Sequence, residues 1–193
     1  RVDDIYAWCL PNTSSDPSWK YNSTGAADLQ SKSTEEYSGF GSFVDPDAPM
    51  TSQSGNNTVP DYFHNSGNNI QASVWGRIRN CNDVIYGIEN STLSEEEKNE
   101  LLGQVYFFRA WCYYNLVKWY GGVPIITEVQ EPVAGAITPR STTKACVDFI
   151  CEDLERSAQL LASFTENGGW PSSDFGRVTS GTALALKGRT LLL

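Results

Sequence analysis

The sequence predicts a mostly α-helical chain whose helices run in pairs behind a long irregular first third. Three observations carry that expectation. Four segments between Asn69 and Leu193 space their apolar residues at the 3.6-residue period of a helix. Short links and cap residues divide them into two pairs, about 70–120 and 141–193. From Pro11 to about Gly67 the periodicity vanishes, and Ser, Asn, Gly, Asp and Pro dominate. Paired helices stacked in series are the plan of tetratricopeptide-type arrays.

The elements follow in chain order. Val2, Ile5, Tyr6, Cys9 and Leu10 have helical spacing until Pro11 stops them. The region 1–69 is otherwise loop-rich, but aromatics scattered through it argue against simple disorder. A loop stretch this long is a candidate ligand-facing part. Asn69 to Ile88 returns to helix, with Ile70, Val74, Ile78, Cys81, Ile85 and Ile88 as its stripe and Asn82 at its edge.

The stretch Leu101 to Thr127 organises the rest. Leu101, Val105, Phe108, Cys112, Leu116 and Trp119 form one face, and Leu102, Tyr106, Tyr113, Val117 and Tyr120 a second. Phe107, Trp111 and Tyr114 add a third side. A helix apolar nearly all round lies between other helices or spans a membrane, and Gln104, Arg109, Asn115 and Lys118 argue against spanning. Ser94 with Glu97 fits a capping box. Gly121 or Gly122 suits the left-handed helix exit, and Pro124 forbids continuation. Arg109 sits among apolar neighbours, where a charge needs a partner. It is either tied to a carboxylate or helix-end carbonyls, or it reaches a ligand.

An extended crossing spans 121–140. Ser141 can then cap a third helix built on Cys146, Ile150, Leu154, Ala158 and Leu161. A loop runs from Thr165 to Arg177, and a fourth helix starts near Thr179 or Ser180. Gly181, Ala183, Ala185 and Gly188 allow it close packing. Two pairs are fewer than the three or so such stacks need. The chain opens already at helical spacing and closes on an apolar, uncapped helix ending Leu191-Leu192-Leu193, so we expect a fragment of a longer polypeptide, with targeting sequences able to lie upstream.

The net charge of −9 argues against nucleic acid and anionic membrane surfaces. The five cysteines form no CxxC pair, and with the single His64 they match no zinc spacing. We therefore expect no metal and no cofactor. Asp45 and Asp47 in a Pro-rich loop suit a solvated turn better than calcium. Asp174-Phe175-Gly176 spells a kinase motif without the Gly-rich and catalytic loops that give it meaning.

Four ordered motifs carry a family resemblance over residues 75–193. They are IRNCNDVI (Ile78 to Ile85), GQVYFFRAWCYYNLVKWYGGVPII (Gly103 to Ile126), RSTTKACVDFICEDLERSAQLL (from Arg140) and GRVTSGTALALKGRTLLL (from Gly176). Together they resemble the SusD/RagB family of outer-membrane nutrient-binding lipoproteins. Gln104, Tyr106 and Trp75 depart from the residues usual at those places, Glu, Arg and Tyr. Residues 1–70 resemble the family only through Tyr6, Leu10-Pro11 and Asp28.

The resemblance implies tetratricopeptide-like helix pairs and no enzyme activity. It implies a lipid anchor at the outer-membrane surface, and delivery of glycans or peptides to a SusC-type TonB-dependent transporter. It also marks Asn82, Arg109, Gly121, Gly122, Pro124, Asp153 and Arg177 as structural positions, with Asp153 or a loop carbonyl as the partner expected for Arg109.

Glycans are held by aromatic faces and by Asn, Asp and Arg hydrogen bonds. Trp19, Tyr21, Tyr62, Phe63 and Trp170 are therefore candidate rings, with Asn65, Asn68 and Asn69 as polar partners. The alternative is that these rings pin the loops to the scaffold. Two other functions compete: a tetratricopeptide-type scaffold binding peptides on its helix faces, and a helical glycoside hydrolase. The hydrolase needs two facing carboxylates about 5–10 Å apart, and no spacing here identifies them.

Overall fold

The computed structural model describes residues 1–9, 74–130, 138–166 and 168–193. All regular structure among them is helical: α1 (Val2–Cys9), α2 (Val74–Glu89), α3 (Glu95–Tyr120), α4 (Thr143–Leu160), α5 (Ala162–Glu166) and α6 (Ser180–Thr190), with a 3-10 turn at Ser172–Asp174. Helix α3 is central. It packs against α1, α2 and α4, and α4 carries α6 on its other side. No helix among the described residues is long and apolar enough to cross a membrane.

The all-round apolar pattern of α3 has its explanation in those neighbours. Val105, Phe108, Cys112 and Leu116 are buried, and so are Leu102, Tyr106, Phe107, Tyr113, Tyr114 and Val117. Ile5 from α1, Ile78 and Cys81 from α2, and Ile150, Leu154 and Leu161 from the α4 side complete one core. The ring of Phe107 meets Phe108 edge-on at 5.3 Å and stacks on Trp111 at 6.4 Å.

Both ends of α3 are closed by side chains. The Ser94 hydroxyl accepts the Glu97 backbone N–H at 3.3 Å, while the Glu97 carboxylate accepts the Ser94 N–H at 2.9 Å. At the exit Gly121 has φ 66° and ψ −132°, a conformation that suits glycine. Its N–H reaches the Val117 carbonyl at 2.9 Å. Arg140 then takes up the carbonyls of Gly122 and Tyr120 at 2.8 and 2.7 Å. Gly122 is needed for another reason: a Cβ there would fall 2.0 Å from the Ser141 carbonyl oxygen. The exit turn of α3 thus lies against the entry of α4.

The cap of α4 differs from the sequence expectation. Thr142, not Ser141, is the N-cap, its hydroxyl accepting the Ala145 N–H at 3.1 Å. Ser141 is engaged one step earlier, its N–H donating to the Val123 carbonyl at 3.1 Å. That backbone bond keeps Ser141 in the crossing strap, and the helix begins one residue later than the sequence suggests. Part of the expected 165–177 loop is also regular, as the end of α5 and the 3-10 turn.

Three helices meet at Arg109. Its Nε and Nη2 donate to the two carboxylate oxygens of Asp153 at 2.7 Å each, and Nη1 donates to Asn82 Oδ1 at 3.0 Å. The guanidinium lies between the Tyr106 and Phe149 rings, at 5.1 and 5.3 Å. Burial alone would weaken its charge, but the hydrogen bonds and charge of Asp153 outweigh that and hold Arg109 above its ordinary value. Asn82 turns its amide nitrogen to the Ile126 carbonyl at 3.0 Å, so the same group clips the strap after α3.

Arg109→Ala is expected to lose about 3–5 kcal/mol of unfolding free energy in urea titration, because Asp153 is left charged and buried. Arg109→Met combined with Asp153→Leu should recover most of that loss, and a double variant as unstable as the single one would contradict this account. Gly122→Ala should cost about 1–3 kcal/mol or more in the same assay, since backbone must move to admit the methyl.

Candidate ligand-binding cleft

At one end of the helical layer a cleft of about 730 Å³ opens between the start of α1, the end of α2 and the α2–α3 link on one side and the segment after α5 on the other. Leu101 and Gln104 of α3 form its floor, and Phe164, Trp170, Asp174 and Arg177 form one wall. This volume suits a small ligand or one end of a chain-like one.

The wall is built by local bonds. Gly169 N–H closes back on the Phe164 carbonyl at 3.1 Å and turns the chain out of α5. Trp170 packs on Phe164 with ring centres 4.4 Å apart, and its indole N–H donates to the Val178 carbonyl at 2.9 Å. The ring is thereby pinned to the scaffold while it lines the cleft.

Arg177 ties the wall to the helices. It donates to Asp174 at 2.7 Å, to Asp3 at 2.6 Å and more weakly to Gln104 at 3.4 Å. Its guanidinium lies 5.3 Å from the Tyr6 ring centre and 5.6 Å from that of Trp170. The Asp174 hydrogen bond, then that of Asp3, hold Arg177 above its ordinary value, and Arg177 holds Asp174 below its own. Tyr6 closes the ring of contacts. Its hydroxyl donates to Gln104 at 2.9 Å and accepts the Val178 N–H at 2.8 Å.

Chemically the cleft offers a charged guanidinium, carboxylate oxygens, an indole edge and apolar wall. Asp3 and Asp174 both accept hydrogen bonds from Arg177, and Asp174, held below its ordinary value, is a poor proton donor. The Glu100 carboxyl lines the cleft too, and burial pushes it above its ordinary value. A second, shallower hollow of about 660 Å³ overlies Arg109 and Asp153. Four of its charged groups form two pairs, Lys187 with Glu155 and Arg109 with Asp153, and Arg156 lies over the Tyr106 ring at 5.4 Å. Among the described residues no cluster of three or more His, Cys, Asp or Glu is placed to hold a metal.

Of the residues singled out from the sequence, Trp170 and Arg177 come together in the cleft. Asn82, Arg109 and Asp153 meet in the buried junction, and Gly121, Gly122 and Pro124 form the exit turn beside it. Trp19, Tyr21, Tyr62, Phe63, Asn65, Asn68 and Asn69 lie outside the described residues. Sequence reasoning did not find Asp3, Glu100, Gln104 or Phe164 as cleft residues. The one signal was the i, i+3 spacing of Asp174 and Arg177.

A family model described as starch-binding associating with outer membrane, of the SusD-like kind, matches residues 18–189. The chain belongs to the SusD-like family. A SusD-like protein of Formosa agariphila is 26% identical over 113 residues, 58% of this chain and 20% of that one. A second from the same organism is 32% identical over 63 residues, 32% of this chain and 12% of its own. The SusD-like chain thus spans about a fifth of the curated relative it matches over the longer stretch. Among solved structures, a SusD-like protein from Bacteroides fragilis is 37% identical with a TM-score of 0.57, over 64% of this chain and 23% of that one. A laminarin-binding SusD-like protein shares the fold at 24% identity and a TM-score of 0.55, over 62% of this chain and 25% of that one. The mostly helical, tetratricopeptide-like architecture is that of the family.

Tyr6 makes the α1 contact sensitive to alkali. Burial pushes its phenol up to about 12, against an ordinary value of about 10. The unfolded chain releases this proton first, so the stability carried by the neutral phenol is whole below pH ~10 and is lost as pH rises toward about 12. Burial raises Tyr113 as well, with the same sign. Unfolding free energy should therefore fall between pH 10 and 12, and Tyr6→Phe should make that fall shallower. The variant should also lose about 1–3 kcal/mol at neutral pH, where Val178 and Gln104 lose their partner.

Proposed function

We propose that this SusD-like chain belongs to a cell-surface glycan-binding protein. It captures oligosaccharides and hands them to a SusC-like TonB-dependent outer-membrane transporter, and it does so without catalysis. The observation that carries the reading is the family match across residues 18–189. The laminarin-binding relative with the same fold supports the ligand class. A lipid anchor joined to this part of the protein holds it at the outer membrane.

The cleft beside Trp170 is the candidate contact within the described residues. Its acceptors, its arginine and its ring edge match a hydroxyl-rich ligand that presents both polar groups and a flat apolar face. Asp3, Glu100 and Asp174 against Arg1 and Arg177 leave the cleft with an acidic balance, within a chain of net charge −9. That favours neutral glycans over sulfated or uronate-bearing ones. Trp19, Tyr21, Tyr62 and Phe63, with Asn65 and Asn68, are proposed as further contacts. Asn82, Arg109, Gly121, Gly122, Pro124 and Asp153 are proposed to act through the scaffold.

Calorimetric titration of the purified protein with laminarin and other neutral glucans, with chromatography of the sugar afterwards, tests this. Saturable binding without new sugar products is expected. Trp170→Ala, checked for folding by circular dichroism, should weaken binding at least ~10-fold, which corresponds to about 1.4 kcal/mol. Release of shorter sugars would overturn the non-catalytic reading. Peptide binding with no affinity for any glycan would overturn the ligand class.

A further inference from the structure

Two sulfur atoms face each other in the core. Cys9 Sγ, at the end of α1, lies 3.9 Å from Cys112 Sγ in the middle of α3, and the two residues are 103 apart in sequence. They are 1% and 2% exposed. Of the other cysteines, Cys146 is engaged by the strap, exchanging contacts with Val123 N–H and carbonyl at 3.4 and 3.3 Å. Cys151 lies partly exposed on α4, and Cys81 is buried on α2 beside the facing pair.

Helix α1 needs a fastening. Eight residues are too few to hold a helix in water without tertiary contacts. Among its contacts are Ile5 and Cys9 in the core, the Tyr6 ring against Phe108 at 4.5 Å and its hydroxyl on Gln104, and two ion pairs reaching solvent, Arg177 to Asp3 and Arg1 to Asp83. Exposed pairs contribute little. The family is described as associating with the outer membrane, and a polypeptide on that route leaves the reducing cytoplasm for a compartment where disulfides form and persist.

We propose that Cys9 and Cys112 join in an intramolecular disulfide as the protein folds outside the cytoplasm, stapling α1 to the central helix. The sulfurs must approach by roughly 2 Å to reach a bond length of about 2.05 Å. Oxidation takes place before α1 is fully seated, while both thiols are reachable. The Cys112 thiolate attacks one sulfur of an exported oxidant that carries a disulfide, forming a mixed disulfide and releasing one oxidant thiolate. The Cys9 thiolate then attacks Cys112 Sγ and expels the second oxidant thiolate. The two thiols give up two electrons and two protons, and the oxidant disulfide takes up the electrons as two thiols. The closed loop contains α2 and the first two-thirds of α3, so the bond constrains the unfolded chain over a long span.

Purified protein, reduced and unfolded, is refolded in a mixture of reduced and oxidised glutathione. It is then alkylated, digested and mapped by mass spectrometry. A peptide pair joined through Cys9 and Cys112, two hydrogens lighter than the reduced pair, is expected. The thermal midpoint should lie at least ~5 °C above that of the reduced protein and return to the reduced value on adding dithiothreitol. Cys81→Ala should keep both the joined peptides and the shift, and Cys9→Ala should lose both. If Cys9→Ala does not fold, the peptide map of the unaltered protein decides. Alkylation of both Cys9 and Cys112 after oxidative refolding, or a bridge that includes Cys81, overturns the proposal.

Discussion

The buried guanidinium of Arg109 sits where three helices and a strap converge, and the geometry of the molecule depends on it. A charge there cannot be left alone, so Asp153 must face it from α4 and Asn82 from α2. Each partner is directional. The paired bonds to Asp153 set the roll of α4 against α3, and Asn82 sets the register of α2 while its other end takes the Ile126 carbonyl. Apolar packing alone would tolerate several such registers, because Leu, Val and Phe interdigitate in more than one way. Burying the pair earns little net stability by itself. We infer that its role is to select one arrangement of the helices.

Around that junction the packing is unusually close at the helix exits. Gly122 sits against the backbone entering α4, and Arg140 gathers the last carbonyls of α3. The reversal from α3 to the strap is therefore rigid, and Tyr113 adds to it by accepting the Ile126 N–H at 2.7 Å. The cleft lies at the opposite end of α3, near its start. There the contacts are polar and partly exposed: Arg177 with two carboxylates, Tyr6 with Gln104 and Val178. A rigid junction at one end and a hydrogen-bonded wall at the other make α3 a spine that positions the cleft, lining it with Glu100, Leu101 and Gln104.

The fold was legible in the residues because helices announce themselves locally. Apolar spacing, the Ser94–Glu97 box and the Gly121-Gly122-Pro124 exit are short-range signals, and each corresponds to a helix or boundary in the structure. The cap of α4 was less legible. Ser141 and Thr142 are equally able to cap, and what separates them is a strap bond to Val123, a contact made at a distance. The cleft was hardly legible at all. Asp3, Gln104 and Arg177 stand far apart in sequence, and nothing in their local patterns ties one to another. Trp170 stood out only as an aromatic ring in a polar loop. Its indole N–H, held by Val178, shows that one ring can both brace a loop and line a hollow.

The sequence by itself determined the helical class, the order of the elements and the family, because these rest on periodicity and on motifs that lie contiguous in the chain. It also marked Arg109 as a charge in need of a partner. Tertiary structure alone decided how that charge is shared between Asp153 and Asn82, which hydroxyl caps α4, which residues enclose the cleft, and that Cys9 and Cys112 face each other. All of these are pairings across dozens of residues. They depend on the angles at which helices cross, and those angles are set by how the whole core packs at once.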